Sequence, residues 1–185
     1  MNLQQQYLTM KKSNKIILFD IDDTLIKSNA KIYVLNEQNQ IIKKLTPAEY
    51  NTYVRNDGEH FGYDEFDNEQ ILNEAEFTKF WDKMMDVYNK GYNVGIVTAR
   101  EDKEMLIRFF LQHGIDINRY LIFAIGGKDC KFKGRIQDRK RQVIEHLSAR
   151  GYKNFEFYDD NEENLNEVAQ MSRRIGVDIK TIKAC

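Results

Sequence analysis

From Gly91 onward the chain alternates short apolar runs with amphipathic stretches, and no other feature constrains its fold as much. The runs at 92–98 (YNVGIVT), 120–125 (YLIFAI) and 154–159 (NFEFYD) have strand length. The stretches at 101–113, 138–150 and 161–174 repeat their apolar residues at helical spacing. Gly114 and Gly151 stand where helix C-caps belong. An earlier run, KIILFDI (15–21), is apolar almost throughout, as in a strand buried on both faces of a parallel sheet. A last run at 177–182 adds an edge strand. Strands alternating with helices predict an α/β fold: a Rossmann-like, three-layer parallel sheet with helices on both faces.

Between the first strand and Gly91 the pattern changes. AKIYVLNEQNQIIKKL (30–45) predicts a β-hairpin turning at NEQN, and Thr46 with Pro47 opens a short helix as N-cap and first residue. Residues 55–73 read as irregular, and a helix over 74–90 puts Phe77, Phe80, Trp81, Met84, Met85 and Tyr88 on one core-facing stripe. The organisation expected is a core domain over 15–185, interrupted at about 27–80 by a hairpin-bearing flap or small cap, with a disordered N-terminus over 1–14. The 185 residues suffice for one domain with a real core.

Apolar content of 42%, charged content of 31% and a net charge of −1 describe a soluble globular chain with no global attraction to nucleic acid or membrane. The two cysteines, Cys130 and Cys185, lack zinc spacing and fit a reducing compartment. No apolar run approaches membrane-spanning length, and the polar start lacks the apolar core of a secretion signal. A cytoplasmic location is expected.

Ligands of open α/β sheets bind beyond the carboxyl ends of the strands, so the residues there carry the functional expectations. After the first strand come Asp20, Asp22, Asp23 and Thr24; after the second, Thr98, Ala99 and Arg100; after the third, Gly126, Gly127 and Lys128; after the fourth, Asp159 and Asp160. Carboxylates grouped at neighbouring strand ends are costly unless a cation compensates them. Hard oxygen ligands without soft neighbours suit Mg2+, which takes one or two carboxylates together with substrate phosphate. An EF-hand reading of DIDDTLIKSNAK fails, because its sixth and twelfth positions are Leu25 and Lys31 instead of Gly and Glu. His60, His113 and His146 show no ligand spacing.

With these residues in view, the sequence resembles the haloacid-dehalogenase-like phosphatases, and among them small bacteriophage proteins. DIDDTL matches the D-x-D-x-T signature, VTAR (97–100) the strand ending in Thr or Ser, Lys140 the helical lysine, and FYDDNEENL (157–165) the acidic fourth motif. The resemblance implies that Asp20 is the nucleophile that forms an aspartyl-phosphate and Asp22 the acid/base partner. Thr98 and Lys140 would hold the phosphoryl group. Asp20, Asp22 through its backbone carbonyl, and Asp159 and Asp160 directly or through water would form the Mg2+ site, with Thr24, Ala99, Arg100 and Lys128 toward substrate. Asp23 falls in the variable slot and is assigned to the turn. Lys128 and Lys133 remain alternatives to Lys140.

The substrate classes implied are a nucleotide, a phosphorylated 3′ or 5′ nucleic-acid end, or another small phosphoester. Residues 128–141 hold seven Lys or Arg against two Asp and could track a phosphate backbone, whereas 56–78 hold eight Asp or Glu and no Lys or Arg. The alternative is a non-catalytic phosphate- and Mg2+-binding module of the same fold, in the manner of a response-regulator receiver. The order of the motifs favours the enzyme, since the nucleophile and its +2 Asp share one strand.

Overall fold

The structure is a computed structural model that describes residues 14–50 and 52–184. The disordered terminus expected over 1–14 falls, except for Asn14, outside the described residues. The strands are β1 (Lys15–Phe19), β2 (Ile26–Lys27), β3 (Ile32–Leu35), β4 (Ile41–Leu45), β5 (His60–Gly62), β6 (Glu76–Phe77), β7 (Asn93–Thr98), β8 (Ile122–Ala124), β9 (Asn154–Asp159) and β10 (Asp178–Lys183). The helices are α1 (Pro47–Tyr50), α2 (Glu69–Asn73), α3 (Lys79–Asn89), α4 (Lys103–Gln112), α5 (Ile136–Ala149), α6 (Glu162–Ala169) and α7 (Met171–Ile175).

The chain divides into two compact units. The larger, which among the described residues takes in 14–27 and 77–184, is built on a five-stranded sheet in the order β10-β9-β1-β7-β8. All four pairings are parallel. Ile16, Leu18 and Phe19 are fully buried, as the unbroken apolar run of β1 requires. Helices α5, α6 and α7 pack on one another in one layer, with α6 against β9 and β10. In the other layer Trp81 of α3 meets Phe109 and Phe110 of α4. Strand order reverses at β1, since the chain first builds outward through β7 and β8 and then returns to add β9 and β10 on the opposite side. The crevice beyond β1 and β9 is therefore the topological switch point.

Several boundaries differ from the sequence expectation. The helix expected over 74–90 begins at Lys79, because Thr78 is its N-cap: its Oγ1 accepts from Phe80 N at 3.1 Å and donates to Thr24 O at 2.5 Å. Its buried face is Trp81, Met84 and Val87, while Phe77 is 46% exposed. The 161–174 helix is two helices meeting at Gln170. Within 55–73, read as irregular, lie β5, a 3-10 turn over Asp64–Asp67 and α2, which Asn68 caps with its side chain. Gly114 and Gly151 take positive φ angles of 76° and 102° at the helix ends.

The smaller unit, Ser28–Glu76, has its own antiparallel sheet in the order β4-β3-β5. The expected hairpin is the β3–β4 pair. Ile32, Val34 and Leu45 form its core, with Tyr50, Tyr53, Phe61 and Phe66 packed against them. Glu65 ties the unit together, accepting from Lys31 N at 2.7 Å and from Tyr33 Oη at 2.5 Å. No helix among the described residues is long and apolar enough to cross a membrane.

Candidate active site

Asp20 is the first residue past β1, and its backbone N–H continues the ladder by donating to Tyr158 O at 2.9 Å. That bond brings Asp20 level with the end of β9, where Asp159 closes the strand and Asp160 leaves the sheet. The chain then turns tightly. Ile21 O accepts from the N–H groups of Thr24, Leu25 and Ile26, and Asp23 adopts a left-handed φ of 55°. Aspartate tolerates that region better than most residues, which accounts for Asp23 in the variable slot.

Lys140 lies at the centre of the cluster. Its Nζ donates to Asp20 Oδ1 at 2.9 Å and to Asp159 Oδ2 at 2.6 Å, and its side chain is only 2% exposed. On α5 it shares the inner face with Val143, Ile144 and Leu147, the i, i+3, i+4, i+7 pattern of a buried stripe. That pattern was available in the sequence and separates Lys140 from its two rivals. Lys128 is exposed on the loop after β8, beside an open cavity of about 530 Å³ that Glu101, Asp129 and Cys130 also line. Lys133 is exposed too, with its backbone N and O bonded to the Gln142 amide.

Asp159 is fully buried and engaged at both oxygens, since Oδ1 also accepts from Asn161 N and Asn164 Nδ2, each at 2.9 Å. Asn161 caps α6, and Asn164 lies one turn further along it. Both asparagines escaped the sequence reading. An Asn at a helix start was the signal for the first; the second had none.

One carboxylate oxygen each from Asp20, Asp159 and Asp160 lies within 4.8 Å of the others. Burial raises Asp20 well above the ordinary carboxylate range; Lys140 opposes this, and Asp159 and Asp22 add to it. Burial, then the charge of Asp159, pushes Asp160 up to about 6. Burial works against the charge of Lys140, but Asp20 and Asp159 outweigh it and hold the amine above the usual lysine value. Three carboxylates against one ammonium leave surplus negative charge in a poorly hydrated place. An all-oxygen donor set with that surplus fits a hard divalent cation such as Mg2+.

The other expected residues divide. Thr98 is buried at the end of β7, and its Oγ1 accepts from Arg100 N at 3.3 Å. The Thr24 backbone helps build the turn, but its buried Oγ1 has no hydrogen-bond partner among the described residues. Asp22, expected to face the metal through its backbone carbonyl, keeps its carboxylate outside the three-carboxylate cluster. Arg100 clamps it instead, with Nε to Oδ2 at 2.9 Å and Nη2 to Oδ1 at 2.7 Å. Arg100, expected to face substrate, has a fully buried side chain. Ala99 is exposed between them, and its carbonyl is covered by Gly126, where a Cβ would approach to 1.9 Å. Arg139, which the sequence reading missed, holds the loop after β8 by donating to the carbonyls of Ile125, Gly126 and Gly127.

Fold and site together define a doubly wound α/β chain with an acidic, lysine-centred crevice at its switch point. No family model matches the sequence, and no curated protein matches it. Solved structures do. The haloacid-dehalogenase-like (HAD) domain of effector protein Lem4 from Legionella pneumophila aligns with 91% of this chain and 85% of its own, at 15% identity and a TM-score of 0.50. An inactive mutant of that domain aligns with 93% of this chain and 86% of its own, at 14% identity and a TM-score of 0.51. The fold is the HAD fold.

Proposed function

We propose that the protein is a Mg2+-dependent phosphomonoesterase that works through an aspartyl-phosphate on Asp20. The observation that carries this reading is the contact of Asp20 Oδ1 with Lys140 Nζ at 2.9 Å, inside a cluster of three carboxylates at the switch point. A carboxylate held there by a buried ammonium is positioned, and a phosphate arriving beside it meets a cation.

An Asp20 oxygen attacks phosphorus while the ester P–O bond breaks, and the leaving oxygen takes its proton from Asp22. Water then attacks the aspartyl-phosphate, gives its proton to Asp22 and releases Asp20 with inorganic phosphate. Lys140 offsets charge on the transferring group, and the Thr98 hydroxyl, which accepts from Arg100 N, retains its own proton to donate to a phosphoryl oxygen. Asp20, Asp159 and Asp160 would hold Mg2+, which when bound supplies the positive charge that lets an anionic nucleophile meet an anionic phosphate. The Ser28–Glu76 unit occupies the place in the sequence of a flap or small cap, and a small cap suits a nucleotide, a phosphorylated nucleic-acid end or another small phosphoester.

Purified protein is expected to hydrolyse an aryl phosphate in Mg2+. Asp20→Asn should abolish turnover without unfolding the protein. Full activity in that variant, or in excess chelator, overturns the mechanism, whereas Mg2+ binding without hydrolysis of any phosphoester by the wild type favours a non-catalytic module.

A further inference from the structure

We infer that Arg100 is a positioning residue for proton transfer, which orients the Asp22 carboxyl toward the leaving-group oxygen and does not itself bind phosphate. The inference rests on the assignment of Asp20 and Asp22 proposed above. Arg100 places both arms of its planar fork on the two Asp22 oxygens, at 2.9 and 2.7 Å. That geometry fixes the plane of the carboxyl as well as its position. The turn over 20–26 sets where the Asp22 backbone lies but leaves its side-chain torsions free, and the fork removes that freedom.

Burial separates the two partners. The Arg100 side chain is 0% exposed, whereas Asp22 keeps 24%. Each carboxylate oxygen has a second lone-pair direction beyond the one the guanidinium occupies. Asp22 therefore remains open to a substrate while clamped, and Arg100 does not. The Arg100 backbone is also pinned on both sides, its N–H to Thr98 Oγ1 at 3.3 Å and its carbonyl to Gly126 N at 3.2 Å. Contact with an incoming phosphate would require the guanidinium to leave Asp22 and the core together.

In the first step the Asp20–phosphorus bond forms, the phosphorus–oxygen ester bond breaks with its electron pair on the leaving oxygen, and the Asp22 proton moves to that oxygen. An alkoxide is strongly basic and needs the proton; a nitrophenolate leaves without it. A residue that acts through Asp22 is therefore felt more by alkyl than by aryl esters, whereas a phosphate ligand is felt equally by both.

The experiment compares kcat/KM of wild type, Arg100→Lys and Arg100→Met on a simple alkyl phosphate and on 4-nitrophenyl phosphate, with Mg2+ present. This ratio reports the steps up to aspartyl-phosphate formation. The alkyl ester is expected to lose about 10²-fold, within the range that general acid catalysis contributes, and the aryl ester less than about tenfold. In an Asp22→Asn background Arg100→Met should add no further loss. Equal losses on both esters, or a rise in KM alone, overturn the inference. Arg100→Lys keeps the cation without the fork and carries the test if the Met variant does not fold. Turnover retained in Asp20→Asn would instead overturn the nucleophile assignment, so the two failures are distinguishable.

Discussion

Lys140 concentrates the electrostatics of the molecule in one side chain. It is 2% exposed and bonded to two carboxylates, so removing it leaves Asp20 and Asp159 facing one another without a cation. Breaking a buried pair from one side costs about 3–5 kcal/mol. Lys140→Met is therefore expected to lower stability by that order in urea titrations without metal, and to reduce turnover by about 10²-fold or more. Mg2+ should return part of the stability, because it replaces the missing charge, but not the turnover. At this scale the sequence was readable where local pattern speaks. Asp20 and Asp22 stood out by spacing, whereas the choice of Lys140 over Lys128 and Lys133 stayed open until α5 placed its amine on Asp20 and Asp159. The pairing of Arg100 with Asp22 was not readable, since the two lie 78 residues apart.

Among the elements, the loops after β7 and β8 hold the site by close approach. A Cβ on Gly126 would sit 1.9 Å from Ala99 O, a backbone atom that cannot rotate away. At Gly127 the nearest atom would be 3.6 Å away, on the Glu101 side chain. Gly126→Ala should therefore cost about 1–3 kcal/mol through backbone displacement, while Gly127→Ala should stay within about 0.5 kcal/mol of wild type. Thermal or urea unfolding of the two variants checks the contrast. The order of strands and helices was legible from periodicity, because burial on one or both faces writes a short-range pattern. The extended entry to α3 and the short β5 were not. The first follows from a Thr78 bond to Thr24, 54 residues back, and the second from pairing with β3.

For the whole molecule, the surplus negative charge at the switch point links folding to pH and to cation. Burial and Asp159 raise Asp160 from 3.8 to about 6 in the folded state. A carboxyl raised on folding binds its proton more tightly when folded, so its contribution to stability is present at low pH and is lost as pH rises through about 6. Without metal, the unfolding midpoint should fall across that window. Mg2+ bound to the folded protein should raise the midpoint at pH 7 and flatten the dependence. A pH series of melting curves in chelator and in Mg2+ measures both effects. The alternation of strand and helix, the D-x-D-x-T turn and the acids at strand ends follow from neighbours in the chain, and those were legible in the sequence itself. The meeting of Lys140 with Asp20 across 120 residues, the capture of Asp22 by Arg100, and the exclusion of Asp22 from the three-carboxylate cluster were not. They depend on which strands become neighbours and in what register, and that follows from burying the whole sheet at once and not from any local stretch of chain.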